Sequence, residues 1–433
     1  MISSHSETED PRRRFAVETV RTLRQEGFEA LWAGGCVRDQ LLGKSPKDYD
    51  VASTATPDDV IRIFGRRRTV AVGASFGVVM VLGPNQSAGQ IEVATFRSDG
   101  EYLDGRRPSS VQFCRPEEDA NRRDFTINGM FFDPIDGRLI DYVGGQHDLA
   151  AGIVRAIGDP IARFTEDKLR MLRAVRFTAT FGFALDTATA AAVHQLREQI
   201  CQVSEERIAQ ELKRMLSHVT RDHSLRLLHS TRLLAEVLPE LYRYTGDVTD
   251  ENVSVGVRQL QHLASDEFEP AFALILRPLH NPGLAGKPTA AVESVCRRLK
   301  LSNEETEGIC WLVESLPVLD NIHSRPLHVR KPLLAHPHVV RLLQISAAIA
   351  AADNRPAIDV EFCREYLSTV NPEELSPPPL VNGQDLMAIN VPQGPAFRIL
   401  LSAIRNEQLD ESLTTRTAAL ERLRELFALK TDD

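Results

Sequence analysis

Two aspartates separated by one residue, Asp48 and Asp50, close a stretch that begins with the glycine pair Gly34-Gly35 and includes Arg38, reading G-G-C-V-R-D-Q-L-L-G-K-S-P-K-D-Y-D. In an extended strand residues i and i+2 point to one face, so this spacing predicts two carboxylates side by side, with Tyr49 and Val51 turned away. Paired carboxylates repel. A hard cation such as Mg²⁺, held by one or two carboxylates together with substrate phosphates, removes that repulsion. The glycines let backbone approach something bulky, and a helix over 36–42 would aim its first amides and the positive end of its dipole at an anion near Gly35, within reach of Arg38. Each piece alone has a plainer reading, Gly-Gly as a turn and D-x-D as a solvated strand edge. The combination points to a divalent cation and a phosphate chain.

Three further groups carry chemistry. Glu92 lies in Q-I-E-V-A-T-F-R between two apolar residues, which fits either a third carboxylate aimed at the aspartate pair or an outward-facing strand residue. Arg122-Arg123-Asp124 opens R-R-D-F-T-I-N. Two guanidiniums beside a carboxylate can hold a triphosphate and a ribose hydroxyl, or else form an ordinary surface salt bridge. In R-F-T-E-D-K-L-R-M-L-R-A-V-R-F, helical spacing makes Asp167 and Arg170 i, i+3 neighbours, and Arg173 and Arg176 continue the row. Such a pair is most often a helix-stabilising salt bridge, but a carboxylate and a guanidinium can also read the edge of a base.

Taken in order, the first motif with its continuation V-A-S-T-A-T-P, then R-R-D-F-T-I-N, D-Y-V-G-G, E-D-K-L-R and S-E-E-R-I-A-Q-E-L, resemble the nucleotidyltransferases of the DNA polymerase beta superfamily. The resemblance is to the branch holding class II, bacterial-type tRNA nucleotidyltransferases and poly(A) polymerases, and most to a CCA-adding form. It implies transfer of nucleoside monophosphates from CTP and ATP to a tRNA 3′-hydroxyl without a nucleic-acid template. Asp48 and Asp50, with Glu92 as third acid, would serve catalysis on two Mg²⁺ ions. Gly35 and Arg38 would meet phosphates, and Arg122, Arg123 and Asp124 the triphosphate and ribose. Glu166, Asp167 and Arg170, with Arg173 and Arg176 on the same helix, would bind and choose the base. Arg207 and Glu211, at i, i+4, would support that helix. The tail from Pro377 to Pro395 would contact the tRNA elbow. A poly(A) polymerase, an A-adding or CC-adding enzyme, or a catalytically silent RNA-binding protein on the same fold are the rival readings.

The elements that must place these residues are predicted as a helix over 14–26, a strand over 30–33, a short helix over 58–64, and strands over 69–72, 77–82 and 90–96. Residues 98–112, with Gly100, Gly105 and Pro108, read as a loop moving as a unit, a lever on the base-selecting helix through Asp104, Arg106 or Arg107. Beyond about 158 alternation gives way to helical periods. The fold class is therefore α+β, a mixed sheet followed by helices, which the resemblance implies is a polymerase-beta-like head followed by all-helical neck, body and tail. The expected divisions are an N-terminal arm and helix at 1–29, head at 30–158, neck at 159–220, body at 221–330 and tRNA-binding tail at 331–433. His147-Asp148 falls in the glycine-rich hinge segment and is not expected to hold a metal.

The chain has 433 residues and a formal net charge of −9, so any phosphate-binding field must be local, as the clustered arginines allow. Six cysteines lie far apart with no C-x-x-C, against zinc or a disulfide framework. No signal-like or membrane-spanning run occurs, and the expectation is a cytoplasmic protein with no membrane partner.

Overall fold

The computed structural model describes residues 10–73, 77–99, 111–245, 250–282, 287–391 and 394–431. Asp104, Arg106, Arg107 and the lever expected of them lie outside the described residues, as does Gln393. The chain divides into two compact units, Met1–Pro239 and Glu240–Asp433.

The first unit is built on a seven-stranded mixed sheet. Strand β1 (Ala30–Ala33) is buried at all four positions because it lies near the centre, antiparallel to β2 (Asp50–Ser53) on one side and to β8 (Phe131–Asp133) on the other. β3 (Thr69–Gly73), β4 (Val78–Leu82) and β5 (Gln90–Thr95) extend the sheet past β2, and β9 (Arg138–Ile140) closes the far edge, in the order β3-β4-β5-β2-β1-β8-β9. Only β2 and β5 run parallel in this sheet, with Asp50 opposite Glu92. A parallel pair needs a crossover, supplied by α3 (Pro57–Phe64) and the β3–β4 hairpin. A capping box at Thr56 and Asp59, with Pro57 in the first turn, starts α3 where the strand stops.

Alternate β1 residues serve the two faces. Leu31 and Ala33 pack with Ala52, Phe96 and Phe131, while Trp32, fully buried, stacks at a tilt on Tyr49 at 4.8 Å. Helix α1 (Pro11–Gln25), capped by Asp10, buries Phe15, Val20 and Leu23. Next to the glycine pair stands α2 (Gly35–Leu41). Gly34 takes φ 71°, ψ −123°, a conformation open to glycine alone, and a Cβ there would lie 2.9 Å from Nη1 of Arg123.

Three expectations are corrected. β2 starts at Asp50, so Asp48 sits on a bend before the strand and the aspartate pair is not a strand pair. The 98–112 segment is not loop throughout: β6 (Arg97–Asp99) and β7 (Val111–Phe113) pair antiparallel, with Ser98 opposite Gln112. Finally, no single helix carries Asp167 and Arg170. The first helix of this region, Pro160–Glu166, ends in an extended Asp167 (φ −139°, ψ 103°), and a second, Leu169–Phe181, begins after Lys168. Asp167 takes the backbone N–H of Leu169 at 3.1 Å, a side-chain bond that competes with continued helix. With α4 (Pro116–Asn121) and α5 (Gly145–Ala151) preceding them, these two helices are α6 and α7, followed by α8 (Thr187–Leu196), α9 (Glu205–Leu216) and α10 (Arg221–Ser230).

The second unit is helical. Its tail-side core gathers Val381, Leu386, Leu400, Ile404 and Leu423 from helices Gly383–Ala388, Pro395–Leu409 and Arg416–Thr431. Helix Leu327–Leu334, inside which residues 330 and 331 fall, is tied to residues closing Pro395–Leu409 by His328–Asp410 at 2.6 Å and Lys331–Glu411 at 2.8 Å. Among the described residues no single helix is long and apolar enough to cross a membrane; one pair bent by 104°, Leu327–Leu334 with Val339–Ala352, reaches that length and composition jointly.

Candidate active site

A cleft of about 600 Å³ in the first unit is lined by Gly34, Gly35, Arg38, Asp50, Arg97, Arg122, Arg123, Asp124, Asn128, Asp167, Leu169, Arg170, Arg173, Phe177 and Arg207. Seven arginines stand against three aspartates. In a chain of net charge −9 this is a strong local positive field, suited to a polyanion.

One wall is a relay of polar bonds. The Arg38 side chain, almost fully buried, lies over the Phe181 ring at 4.5 Å, its Nε and Nη2 donate to Asp39 at 2.9 and 2.7 Å, and Nη1 donates to the side-chain Oδ1 of Asn128 at 2.5 Å. Asn128 Nδ2 donates to Asp124 at 3.1 Å, and the other Asp124 oxygen accepts Nε and Nη2 of Arg173 at 2.8 and 2.6 Å. Burial opposes ionisation of Asp124, but Arg173 and the Asn128 bond outweigh it and hold the carboxyl down at about 2. Helix α2 and the 124–128 segment are thereby tied to α7.

The second wall is the segment from Asp167 to Arg173, which the sequence leads us to expect at the nucleotide base. Arg170 donates to Glu166 at 2.8 Å and to the carbonyls of Arg163 and Arg122 at 3.1 and 2.9 Å. Asp167 pairs with Arg207 of α9 at 2.8 Å rather than with Arg170. Arg207 and Glu211 do not pair with each other: Glu211, 2% exposed, accepts Arg176 Nε at 2.6 Å and Arg214 at 3.1 Å, so α9 braces both the break before α7 and α7 itself.

At the floor, Asp50 and Glu92 stand opposite each other across the parallel strands, both exposed on the face away from Val51 and Val93. The Asp50 carboxyl is pushed up to about 6, chiefly because protein displaces water around it, next because Glu92 and then Asp48 repel its charge; Arg123 pulls the other way. Among the described residues no set of three His, Cys, Asp or Glu gathers closely enough to hold an ion by itself. The donor set is thus a carboxylate pair with Asp48 beside it, which fits a hard cation completing its shell with phosphate and water.

The cleft brings together nine of the expected residues, Gly35, Arg38, Asp50, Arg122, Arg123, Asp124, Asp167, Arg170 and Arg173. Asp48 lines a neighbouring hollow of about 140 Å³ with Arg12, Lys47 and Ile91. Glu92, Glu166 and Arg176 lie outside the lining: Glu92 and Glu166 neighbour the lining residues Asp50 and Arg170, while Arg176 pairs with Glu211, which also lies outside the lining, 3.9 Å from Arg173. Arg97, Asn128, Phe177 and the cleft position of Arg207 were not foreseen; Asn128 closes the R-R-D-F-T-I-N motif, and that was its signal. Asp148 of His147-Asp148 accepts Thr126 Oγ1 at 2.7 Å and Arg155 at 3.0 Å, a structural role at the glycine-rich segment.

A mixed sheet presenting carboxylates at the foot of an arginine-lined cleft of nucleotide size has the layout of a nucleotidyltransferase head. Residues 30–155 match the poly A polymerase head domain, 182–244 the RNA and SrmB-binding site of polymerase A, and 284–423 tRNA nucleotidyltransferase domain 2. A CCA-adding enzyme of Enterococcus faecalis is 36% identical over 305 residues, 70% of each chain, and one of Anoxybacillus flavithermus 34% over 379 residues, 87% of each. The crystal structure of the Bacillus stearothermophilus CCA-adding enzyme in complex with CTP superposes with a TM-score of 0.76 at 28% identity, covering 98% of this chain and all of that one. The chain belongs to the CCA-adding enzyme family of tRNA nucleotidyltransferases.

Proposed function

We infer that the protein adds CMP and AMP from CTP and ATP to the 3′ end of tRNA, building or repairing its CCA terminus without a nucleic-acid template. The carrying observation is one cleft in which the carboxylate floor, the arginine walls and the Asp167–Arg170–Arg207 segment converge, in a chain of this family. Mg²⁺ is the cation the donor set favours, and Asp48 and Asp50, with Glu92 behind Asp50, would hold it. Bound there it would supply activation of the attacking hydroxyl and charge neutralisation at the leaving pyrophosphate. Arg122 and Arg123 bind the phosphates, and Asp124, fixed in its ionised form by Arg173, accepts from a ribose hydroxyl. Asp167 accepts from the exocyclic amino group shared by cytosine and adenine, while Arg170 and Arg207 donate to the ring edge.

The same reading keeps head at 30–158, neck at 159–220, body at 221–330 and tail at 331–433 as a working division, with the tail on the tRNA elbow. A cytoplasmic location suits six cysteines that are all free. Incubation with tRNA lacking its last three nucleotides and each nucleoside triphosphate, singly and together, followed by sequencing of the ends, tests the function. Products ending in CCA support it. Long A tracts, CC only, A only, or no extension each overturn it in favour of a stated rival.

A further inference from the structure

Asp119, on α4, has no place in the reaction as derived so far, yet its surroundings are unusual for a structural acid. Its side chain is 1% exposed and receives two guanidiniums at once. Arg122 brings Nε and Nη2 to one oxygen at 2.9 and 2.6 Å, and Arg123 brings Nε and Nη2 to the other at 3.1 and 2.9 Å. The first oxygen also accepts the backbone N–H of Arg97 at 3.2 Å, and Arg122 Nε donates to the Arg97 carbonyl at 2.8 Å. Arg97 is the first residue of β6 and lines the cleft.

We propose that Asp119 is a positioning residue for the nucleotide's phosphates, holding Arg122 and Arg123 as a fixed pair of forks on the cleft wall and tying them to the start of β6. The inference rests on the proposed function for the identity of the nucleotide. Two guanidiniums crowded on one wall repel, and long side chains lose rotamer freedom when a ligand orders them. One buried carboxylate removes both costs in advance, since each arginine turns the same Nε–Nη2 edge to it. Two positive charges against one negative leave the pair with a net attraction for an anion. The close approach of Gly34 confirms how little latitude the wall has: a single added carbon would press on Arg123 at 2.9 Å. The spacing that produces the hub is local: Asp119 stands in the last turn of α4, and Arg122 and Arg123 follow it at i+3 and i+4 in the turn that ends the helix.

The test uses the full chain carrying Asp119→Asn or Asp119→Glu, with steady-state CTP and ATP addition and competition by inorganic tripolyphosphate, a probe without base or ribose. Loss of preorganisation should raise KM for both nucleotides, and the tripolyphosphate inhibition constant with them, about tenfold in Asp119→Asn, which corresponds to about 1.4 kcal/mol. Asp119→Glu should fall between it and wild type, with kcat in both variants within about threefold of wild type, because no group that touches the reacting atoms is lost. A purely structural acid would instead lower kcat through a smaller active fraction and leave both constants in place, and that result overturns the proposal. So does a raised KM with an unchanged tripolyphosphate constant. Should Asp119→Asn fail to fold, Asp119→Glu decides by the same constants, and failure of both to fold makes Asp119 a fold-holding residue and ends the proposal. Wild-type protein that binds tripolyphosphate but extends no tRNA would count against the function alone, leaving the phosphate-binding comparison of the variants intact.

Discussion

Replacing Arg173 with Met removes the guanidinium that, among the described residues, is bonded to Asp124, while keeping much of the side-chain volume. Asp124 is buried and its carboxyl lies at about 2 against an ordinary 3.8, so its ionised form, with Arg173 and Asn128 outweighing the cost of burial, contributes a net of about 2 kcal/mol to folding, at about 1.4 kcal/mol per unit. The sign follows from the depressed value: that stabilisation is fully present above pH 4 and is lost as pH falls through 2. In the variant the balance inverts. Burial, the largest influence on the group, is no longer offset, the carboxyl rises above its ordinary value, and the charged form is destabilising. Breaking a buried pair by removing one partner costs about 3–5 kcal/mol, and that is the expected loss at pH 7.5. It should shrink steadily as pH is lowered to 5, because protonation removes the unpaired charge. Asp124→Asn combined with Arg173→Met should recover a large part of it. The chain has two tryptophans, Trp32 fully buried in the first unit and Trp311 in the second, so urea unfolding followed by fluorescence in a Trp311→Phe background reports the first unit alone. A loss below about 1 kcal/mol at pH 7.5, or one that does not vary between pH 7.5 and 5, would refute the reasoning.

Asp48→Ala and Asp50→Ala should each abolish nucleotide addition without lowering the unfolding midpoint, since both carboxylates are exposed and repel; near wild-type turnover in either removes the cation assignment. Asp167→Ala should reduce discrimination against UTP and GTP by about ten- to a hundredfold, the worth of one good base-edge contact, and single-turnover rates with all four nucleotides measure it. An unchanged preference would move base selection elsewhere. Gly34→Ala should lower the melting temperature and raise KM for CTP, because φ 71° is strained for alanine and its Cβ meets Arg123 at 2.9 Å. A variant with wild-type values in both measurements would show that the glycine pair is only a turn.

Much of the head was legible because its signals are local. Alternation marked β4 and β5, a four-residue apolar run marked β1, and the glycine pair marked the entry to α2, each within two residues of the observed limits. The misreadings share a cause. Asp48 was placed on a strand because two residues suffice to suggest period 2, whereas the strand begins where pairing with β1 and β5 begins. The i, i+3 spacing of Asp167 and Arg170 and the apolar period at Leu169, Leu172 and Val175 suggest one helix, but the Asp167 side chain caps the next turn and its other oxygen is taken by Arg207, forty residues away. The hairpin base at β6 and β7 was hidden for the same reason, since strand pairing across a glycine-rich segment is decided by partners, not by the segment's own composition.

The arginines explain why net charge misleads here. Arg122 and Arg123 share Asp119, Arg173 has Asp124, Arg170 has Glu166, Arg207 has Asp167, and Arg38 has Asp39. Nearly every cation of the cleft is thus tethered to an acid, so a count of charges would find little field. What matters is where the two signs point. Asp119 is buried behind the wall, Glu166 and Asp39 lie outside the lining, and Asp124 and Asp167, which do line the cleft, are each paired with an arginine, whereas the guanidiniums border the open volume. A polyanion entering the cleft meets donors whose orientation is already fixed, and the acids behind them lower the attraction less than distance alone suggests, because solvent reaches the front and not the back. Asp50 is the exception: it faces the opening without an ion-pair partner among the described residues, with its carboxyl raised toward neutrality, and it is the one lining acid whose charge a cation arriving with the phosphates would stabilise.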